Sequence, residues 1–397
     1  MRLPIFNSSI QFQCIDEMEA FRTMRRTKKH KLCLQTLLVL ARSRKATNEK
    51  DKIYALCGLA DDVDEGDLDI IPDYSDNVSV EQVYRTVAET ILRKTSRLDL
   101  LTIPRASRKS KLRLRTWVPD WSVSIGSQGF ANILGLPEQA PTPYAATPPD
   151  IQPSIAFSED MIRLSGHVVD HIVAIGDKFT GGAMQGGLFL LWLVYIPRRQ
   201  AVLNGWENIC QLRFRRQYFF TREDMTDAYW QTLVAGIFQG GFQTAKQQYE
   251  EYDHMVRSKV RKVPSLLLNW LGPIAILPVL IPLLKNVLEF SKQVTQYSQD
   301  IQANQPSRLA STLTFHLNAA EGRRMFRTSK GYIGLAPVLA QKGDEIVLCK
   351  GGSVPFILRR QSVKGSKKCD LIGDCYVHGI MKGEAFVSEH CHEIWIH

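Results

Sequence analysis

A disulfide framework is missing from this chain. Its eight cysteines, at 14, 33, 57, 210, 349, 369, 375 and 391, include no CxxC pair and no staple spacing. That pattern reads as free thiols in a reducing compartment. The opening MRLPIFNSSIQFQ lacks a charged start followed by an apolar run, so it does not read as a secretory signal. The motifs that assign chemistry at sight are missing too. There is no GxSxG elbow, HExxH pair, P-loop or GxGxxG turn. Gly181-Gly182 and Gly186-Gly187 are glycine pairs without the required spacing. No catalytic carboxylate can be picked from 40 Asp and Glu without geometry. The sequence therefore assigns no catalytic, cofactor-binding or metal-binding residue and no cofactor, and the chain is expected not to be an enzyme.

What is present is a globular composition. The chain has 397 residues, 44% hydrophobic and 23% charged, enough for two or three cores. The net charge of +10 sits in local clusters: FRTMRRTKKHKL before position 33, RASRKSKLRLR at 105–115 and RFRRQYFFTR at 213–222. The first reads as a solvated helix face within a helical stretch 16–44. The third combines rings and charge as a nucleic-acid clamp would. Nothing else supports a groove, so it reads as an amphipathic packing segment and nucleic acid is not an expected partner.

Elements follow from spacing. DKIYALCGLA at 51–60 ends in a turn at Gly58. Asp61 to Asp69 holds six acids, but a calcium loop keyed on Gly66 would put Val63 and Pro72 at ligand positions, so it fails. Ser79 and Gln82 form a capping box ahead of a helix that buries Val83, Tyr84, Val87, Ala88, Ile91 and Leu92. WVPDWS at 117–122 predicts a packed corner, with Trp117 and Trp121 buried and Asp120 bonded to backbone; an aromatic ligand wall is the other reading.

Six prolines in 136–153 mark a linker. Residues 161–176 alternate as a strand. His167 and His171 fall on the solvent side with Arg163 and Ser165, and Asp170 on the apolar face needs a partner or a bulge. Residues 184–262 read as mostly helical.

Residues 264–284 carry no charge, and that length can cross a bilayer. Their four prolines favour a broken apolar hairpin, buried or at a membrane surface. EIVLC and VPFILR, joined by Lys350-Gly351-Gly352-Ser353, form a hairpin expected to pack on the 161–176 strand.

The fold class is therefore α+β. A helical part at 1–135 and a Pro-rich linker at 136–160 come first. A mixed, mainly helical part at 161–310 and a small antiparallel β barrel or sheet at 311–397 follow. Cys369, Cys375, His378, His390, Cys391, His392 and His397 have zinc-binding chemistry without zinc-site spacing. In DLIGDCYVH, Tyr376 and His378 share one strand face while Cys375 lies on the other.

Several of these segments occur in one order: DKIYALCGLA, IIPDYS, WVPDWS, KGYIGLAP, GDEIVLCKGGSVPFILR and GDCYVHGIMKGEA. Together they resemble the fungal heterokaryon-incompatibility (HET-domain) family. That family opens with a YxALSYxWG-like stretch that has no counterpart here, so the chain resembles the region downstream of a truncated or absent signature domain. Cys57 stands where the family more often has an aliphatic residue.

The resemblance implies a regulatory or interaction role in self/non-self recognition and in programmed cell death after hyphal fusion. It implies protein partners, the incompatibility determinants. The chain is expected in the cytoplasm, or membrane-associated through 264–284. The family's signature domain is similar in fold to TIR domains, some of which cleave NAD. A hydrolytic or NAD-cleaving enzyme with an unrecognised site is thus the alternative.

Overall fold

The computed structural model describes residues 33–63, 70–103, 112–122, 142–180, 201–238, 241–247, 249–250, 319–361 and 368–397. The expected helix start at 16–32, the basic run at 105–111 and the apolar stretch 264–284 lie outside the described residues. Among the described residues no helix is long and apolar enough to cross a membrane. By contacts the chain divides into two units, each drawn from separated segments. The first takes 1–171, 339–375 and 380–397; the second takes 172–338 and 376–379.

In the first unit, α1 (Leu34–Leu40) starts without a cap of its own. Asp62 Oδ1 supplies one by accepting from the Leu34 N–H at 2.7 Å. α2 (Asp51–Cys57) ends at Gly58. α3 (Val80–Thr95) carries both bonds of the Ser79/Gln82 capping box and closes at Ser96 in the left-handed region. Its predicted face is buried: Val83, Tyr84, Val87, Ala88, Ile91 and Leu92. That face joins a core with Trp117, Trp121, Ile162, Leu164, Val347, Phe356, Leu358, Leu371 and Ile394.

The β side of that core is a closed circuit. β1 (Ile155–Ser158) pairs with the start of β2 (Met161–Lys178). β3 (Arg323–Thr328) and β4 (Ile333–Pro337) belong to the second unit. β5 (Glu345–Cys349), β6 (Phe356–Arg360), β7 (Lys368–Asp374) and β9 (His392–Ile396) belong to the first. β5 pairs β6, β6 pairs β7, β7 pairs β9, β9 pairs β2, and β2 pairs β5 again. A circuit that returns to its first strand closes a sheet on itself, here through a short β7–β9 seam that pairs Lys368 with Trp395 and Cys369 with Ile396. Every pairing is antiparallel except β7–β9, which is parallel.

The β5–β6 turn falls at the expected Lys350–Ser353. Gly351 has φ of +73°, and a Cβ there would sit 2.5 Å from Pro153 Cδ. The β2–β5 register shifts between Val168 and Asp170, so the expected irregularity is there. Asp170 accepts from the His171 N–H at 2.8 Å.

The covering of this strand corrects one expectation. His171 is exposed, but His167 is only 6% exposed rather than solvent-side. Its Nε2 lies 3.2 Å from the Ala385 carbonyl oxygen, and its ring packs near Phe386 and His390. His167 precedes the bulge and keeps its place opposite Ile162 and Leu164; it is buried because Ala385, Phe386 and His390 cover that face of the strand.

In the second unit, the later half of β2 pairs with β3, β3 with β4, and β4 with β8 (Tyr376–Val377). Residues 201–210 are helical, and α4 (Met225–Leu233) is capped by Asp224, which accepts from the Thr226 N–H at 2.7 Å. Trp206 is buried and donates to the Asp177 carbonyl at 2.9 Å. Trp230 is also buried and packs with Phe238, Phe242 and Tyr249. The stretch between the two helices departs from the mostly helical expectation. Residues 211–224 form turns closed by a Gln217–Asp224 bridge. Helices, a closed strand circuit and further strands make the fold α+β.

Candidate functional site

The 211–224 turns deliver one carboxylate to a buried imidazole. The Tyr218 N–H donates to the Glu223 carbonyl at 2.8 Å, and the Arg222 N–H donates to the Tyr218 carbonyl at 3.0 Å. This tight turn sets Glu223 beside Tyr218. Tyr376, on β8, and His378, just beyond it, are two residues apart and share a face, as strand geometry requires.

His378 Nε2 lies 2.6 Å from Glu223 Oε1, and Nδ1 lies 3.0 Å from the Tyr376 hydroxyl. Thr221 Oγ1 also donates to Glu223 Oε1, and Gln231 Nε2 donates to Oε2. Tyr218 donates its hydroxyl to the His378 carbonyl at 2.9 Å and accepts from the Ile333 N–H at 3.3 Å. Gly236, with φ of +67°, brings backbone against Tyr376; a Cβ there would be 3.0 Å from the phenol oxygen.

Chemically this is a carboxylate–imidazole–phenol chain. A carboxylate that orients an imidazole is the arrangement of a general base. Here the second imidazole nitrogen is taken by Tyr376, so each ring nitrogen already has an internal partner. Burial raises the Tyr218 hydroxyl well above its ordinary range. For Glu223, burial works against ionisation. Hydrogen bonds from His378 and Thr221, the His378 charge and the Gln231 bond together outweigh it, so the carboxyl titrates below the ordinary Glu range.

A carboxyl lowered on folding adds stability above its unfolded pKa and loses it as pH falls through the folded value. Stability of the second unit is thus expected to be level above about pH 5 and to decline below about pH 4.3. Glu223→Gln should lower it at neutral pH and flatten the decline. Hydrogen exchange of residues 323–337 across pH measures this; an unchanged pH course in the variant would contradict the assignment.

In the first unit the tryptophan corner is as expected. Trp117 and Trp121 are buried, and Asp120 Oδ1 accepts from the Ser122 N–H at 2.9 Å and the Ser122 hydroxyl at 2.5 Å. Trp117 Nε1 donates to the Asp160 carbonyl at 3.1 Å. Arg42 Nη2 donates to the Asp120 carbonyl at 2.8 Å. Burial lowers the Arg42 guanidinium to about 10, against the opposing pull of Asp120 and Tyr84. Tyr84 donates to the Glu49 carbonyl at 3.1 Å. Trp121 Nε1 and Glu49 Oε2 are buried without a hydrogen-bond partner. The corner is a wall of core, not a ligand cage.

The C-terminal cysteines and histidines are dispersed. Cys369 is buried on β7, and Cys375 Sγ lies 3.6 Å from the Pro355 carbonyl oxygen. Cys391 Sγ is 3.9 Å from His167 Nδ1. His390 and His392 are exposed. His397 pairs with Arg115 and stands 3.8 Å from Asp370. Burial and Arg115 lower its pKa. Among the described residues no group of three or more His, Cys, Asp and Glu is arranged to hold a metal ion.

Sequence reasoning put Tyr376 and His378 on one face but had no means of finding Glu223. Its partner lies 155 residues away in the chain, and no local pattern marks it.

A family model for the Het-6 beta-barrel domain matches residues 285–396. The four strands that close the circuit with β2 fall inside that range. The chain is also 24% identical over 364 residues to heterokaryon incompatibility protein 6, OR allele, of Neurospora crassa. That match covers 85% of this chain and 49% of the relative, so the chain spans about half the length of that curated protein. No solved structure matches. Both matches bear out the resemblance to the fungal heterokaryon-incompatibility family that the motif series carries.

Proposed function

We propose that this chain is a non-enzymatic regulatory and interaction region of a heterokaryon-incompatibility protein. Its role is in self/non-self recognition and in programmed cell death after hyphal fusion. The observation that carries the reading is the similarity to the Neurospora crassa protein across 85% of this chain. The non-enzymatic part is supported by chemistry. The Glu223–His378–Tyr376 chain spends both imidazole nitrogens and both carboxylate oxygens on internal partners. That is how a network acts when it ties a turn to a strand. Its partners are proteins, the incompatibility determinants, and not nucleic acid. It works in the cytoplasm, with membrane association through 264–284 as the alternative.

Induced expression of the chain in Neurospora crassa, followed by fusion with untransformed cells, tests this role. Growth of the fused cells is expected to change relative to an empty vector, in the same way for the native chain and for Glu223→Gln. Unchanged growth would contradict the incompatibility role. An effect present only with Glu223 intact would favour an enzyme.

A further inference from the structure

We propose that residues 213–222 form a docking surface for an acidic stretch of a protein partner. Arg213, Arg215, Arg216 and Arg222 are all exposed. Among the described residues none of them belongs to an ion pair. The neighbouring carboxylates do not neutralise them. Glu223 is held by His378, Thr221 and Gln231, and Asp224 caps α4. Four exposed arginines within ten residues are thus left without a carboxylate partner among the described residues, with fork geometry suited to carboxylates; the Arg215 guanidinium lies close to Gly331.

Between them stand two large apolar rings. Phe214 is 87% exposed and Phe219 is 70% exposed. They are not exposed because the segment is loose. Tyr218 is buried beneath it, with its hydroxyl bonded on both sides. Phe220 stacks flat on Tyr332 at 3.6 Å between centroids. The Gln217–Asp224 bridge closes the base. The chain turns at Gln211 and Arg222, both at positive φ without being glycine. The segment was expected to pack amphipathically; half of it does, and the packed half holds the other half outward. Side chains fixed before binding lose less freedom on binding.

Composition selects the occupant. Phe and Arg with no Lys is the signature of protein-binding centres. Surfaces that track phosphates or anionic lipids use Lys as readily. A single ten-residue segment also lacks the long basic groove that a nucleic-acid strand follows.

The inference rests on reading the chain as an interaction region. Its test is a binding assay with no turnover. A labelled short peptide alternating Glu and Leu is titrated into the native chain by fluorescence anisotropy, beside its Gln/Leu analogue, a poly-dT oligonucleotide and phosphatidylserine vesicles. The acidic peptide is expected to bind more tightly than every other probe. Arg215→Glu with Arg216→Glu, and separately Phe214→Ser with Phe219→Ser, should each weaken it at least ~10-fold. Arg215→Gln alone, with unchanged hydrogen exchange over 225–233, gives a milder variant that keeps the fold.

No binding of the acidic peptide, or equal binding by the variants, overturns the proposal. So does tighter binding of the oligonucleotide or the vesicles that the same variants abolish. Loss of the peptide effect with the fungal growth effect intact would remove this surface alone and leave the proposed role standing.

Discussion

Replacing Trp121 by Ala should lower the stability of the first unit by ~3–5 kcal/mol, the cost of deleting a buried Trp. Trp121 is 1% exposed and meets Tyr84 edge-on, with 5.1 Å between ring centroids. It sits in the core that also holds the buried face of α3 and side chains from β2, β5, β6, β7 and β9. Its indole N–H has no partner, so the loss is almost wholly cavity and transfer energy. Trp121→Phe keeps most of the ring and removes the unsatisfied donor, and should cost much less. Amide exchange over Val80–Thr95 measures both variants. Unchanged protection in Trp121→Ala would mean that the corner is not core.

The second large effect is expected at Gly334. This residue lies in β4, facing Phe326 on one side and Val377 on the other. A Cβ there would run into the Tyr376 carbonyl oxygen and come within 2.6 Å of Phe326 Cζ. The obstacle is backbone in a paired strand, which cannot yield without opening the β4–β8 ladder. Gly334→Ala is therefore expected to cost about 3 kcal/mol, at the upper end for overpacking. Exchange over 323–337 should rise accordingly. Gly58→Ala is the control: nothing lies within 4 Å of the added carbon and φ is −69°, so little change is expected. If Gly334→Ala is as silent as Gly58→Ala, the β4–β8 pairing is wrong.

The local elements were readable from the chain because their causes are local. The Ser79/Gln82 box, the helix face behind it, the Gly351 turn and the β2 alternation each arise within a few residues. Trp117 and Trp121 could be placed in the core on size and sequence setting alone. Four features were not legible. His167 keeps the face its alternation predicts, and nothing local shows that residues 385–390 cover that face. The 211–224 turns hide among aromatic and basic residues that also suit a helix.

The strand circuit could not be read either. The β5–β6 hairpin was expected on the β2 strand and pairs there, but nothing local marks the return of β9 to β2, more than 200 residues away, or the parallel β7–β9 pair. The Glu223–His378 pair fails for the same reason. Pairing at that separation is set by the whole fold, and strand alternation could supply only the Tyr376–His378 half.

The central claim is that this chain interacts rather than catalyses. The most direct test is to incubate the purified chain with NAD and follow its consumption against a heat-inactivated sample. The account predicts no difference between them. Turnover in the native chain that disappears in a folded His378→Phe variant would contradict it, and would make the Glu223–His378–Tyr376 chain an active site.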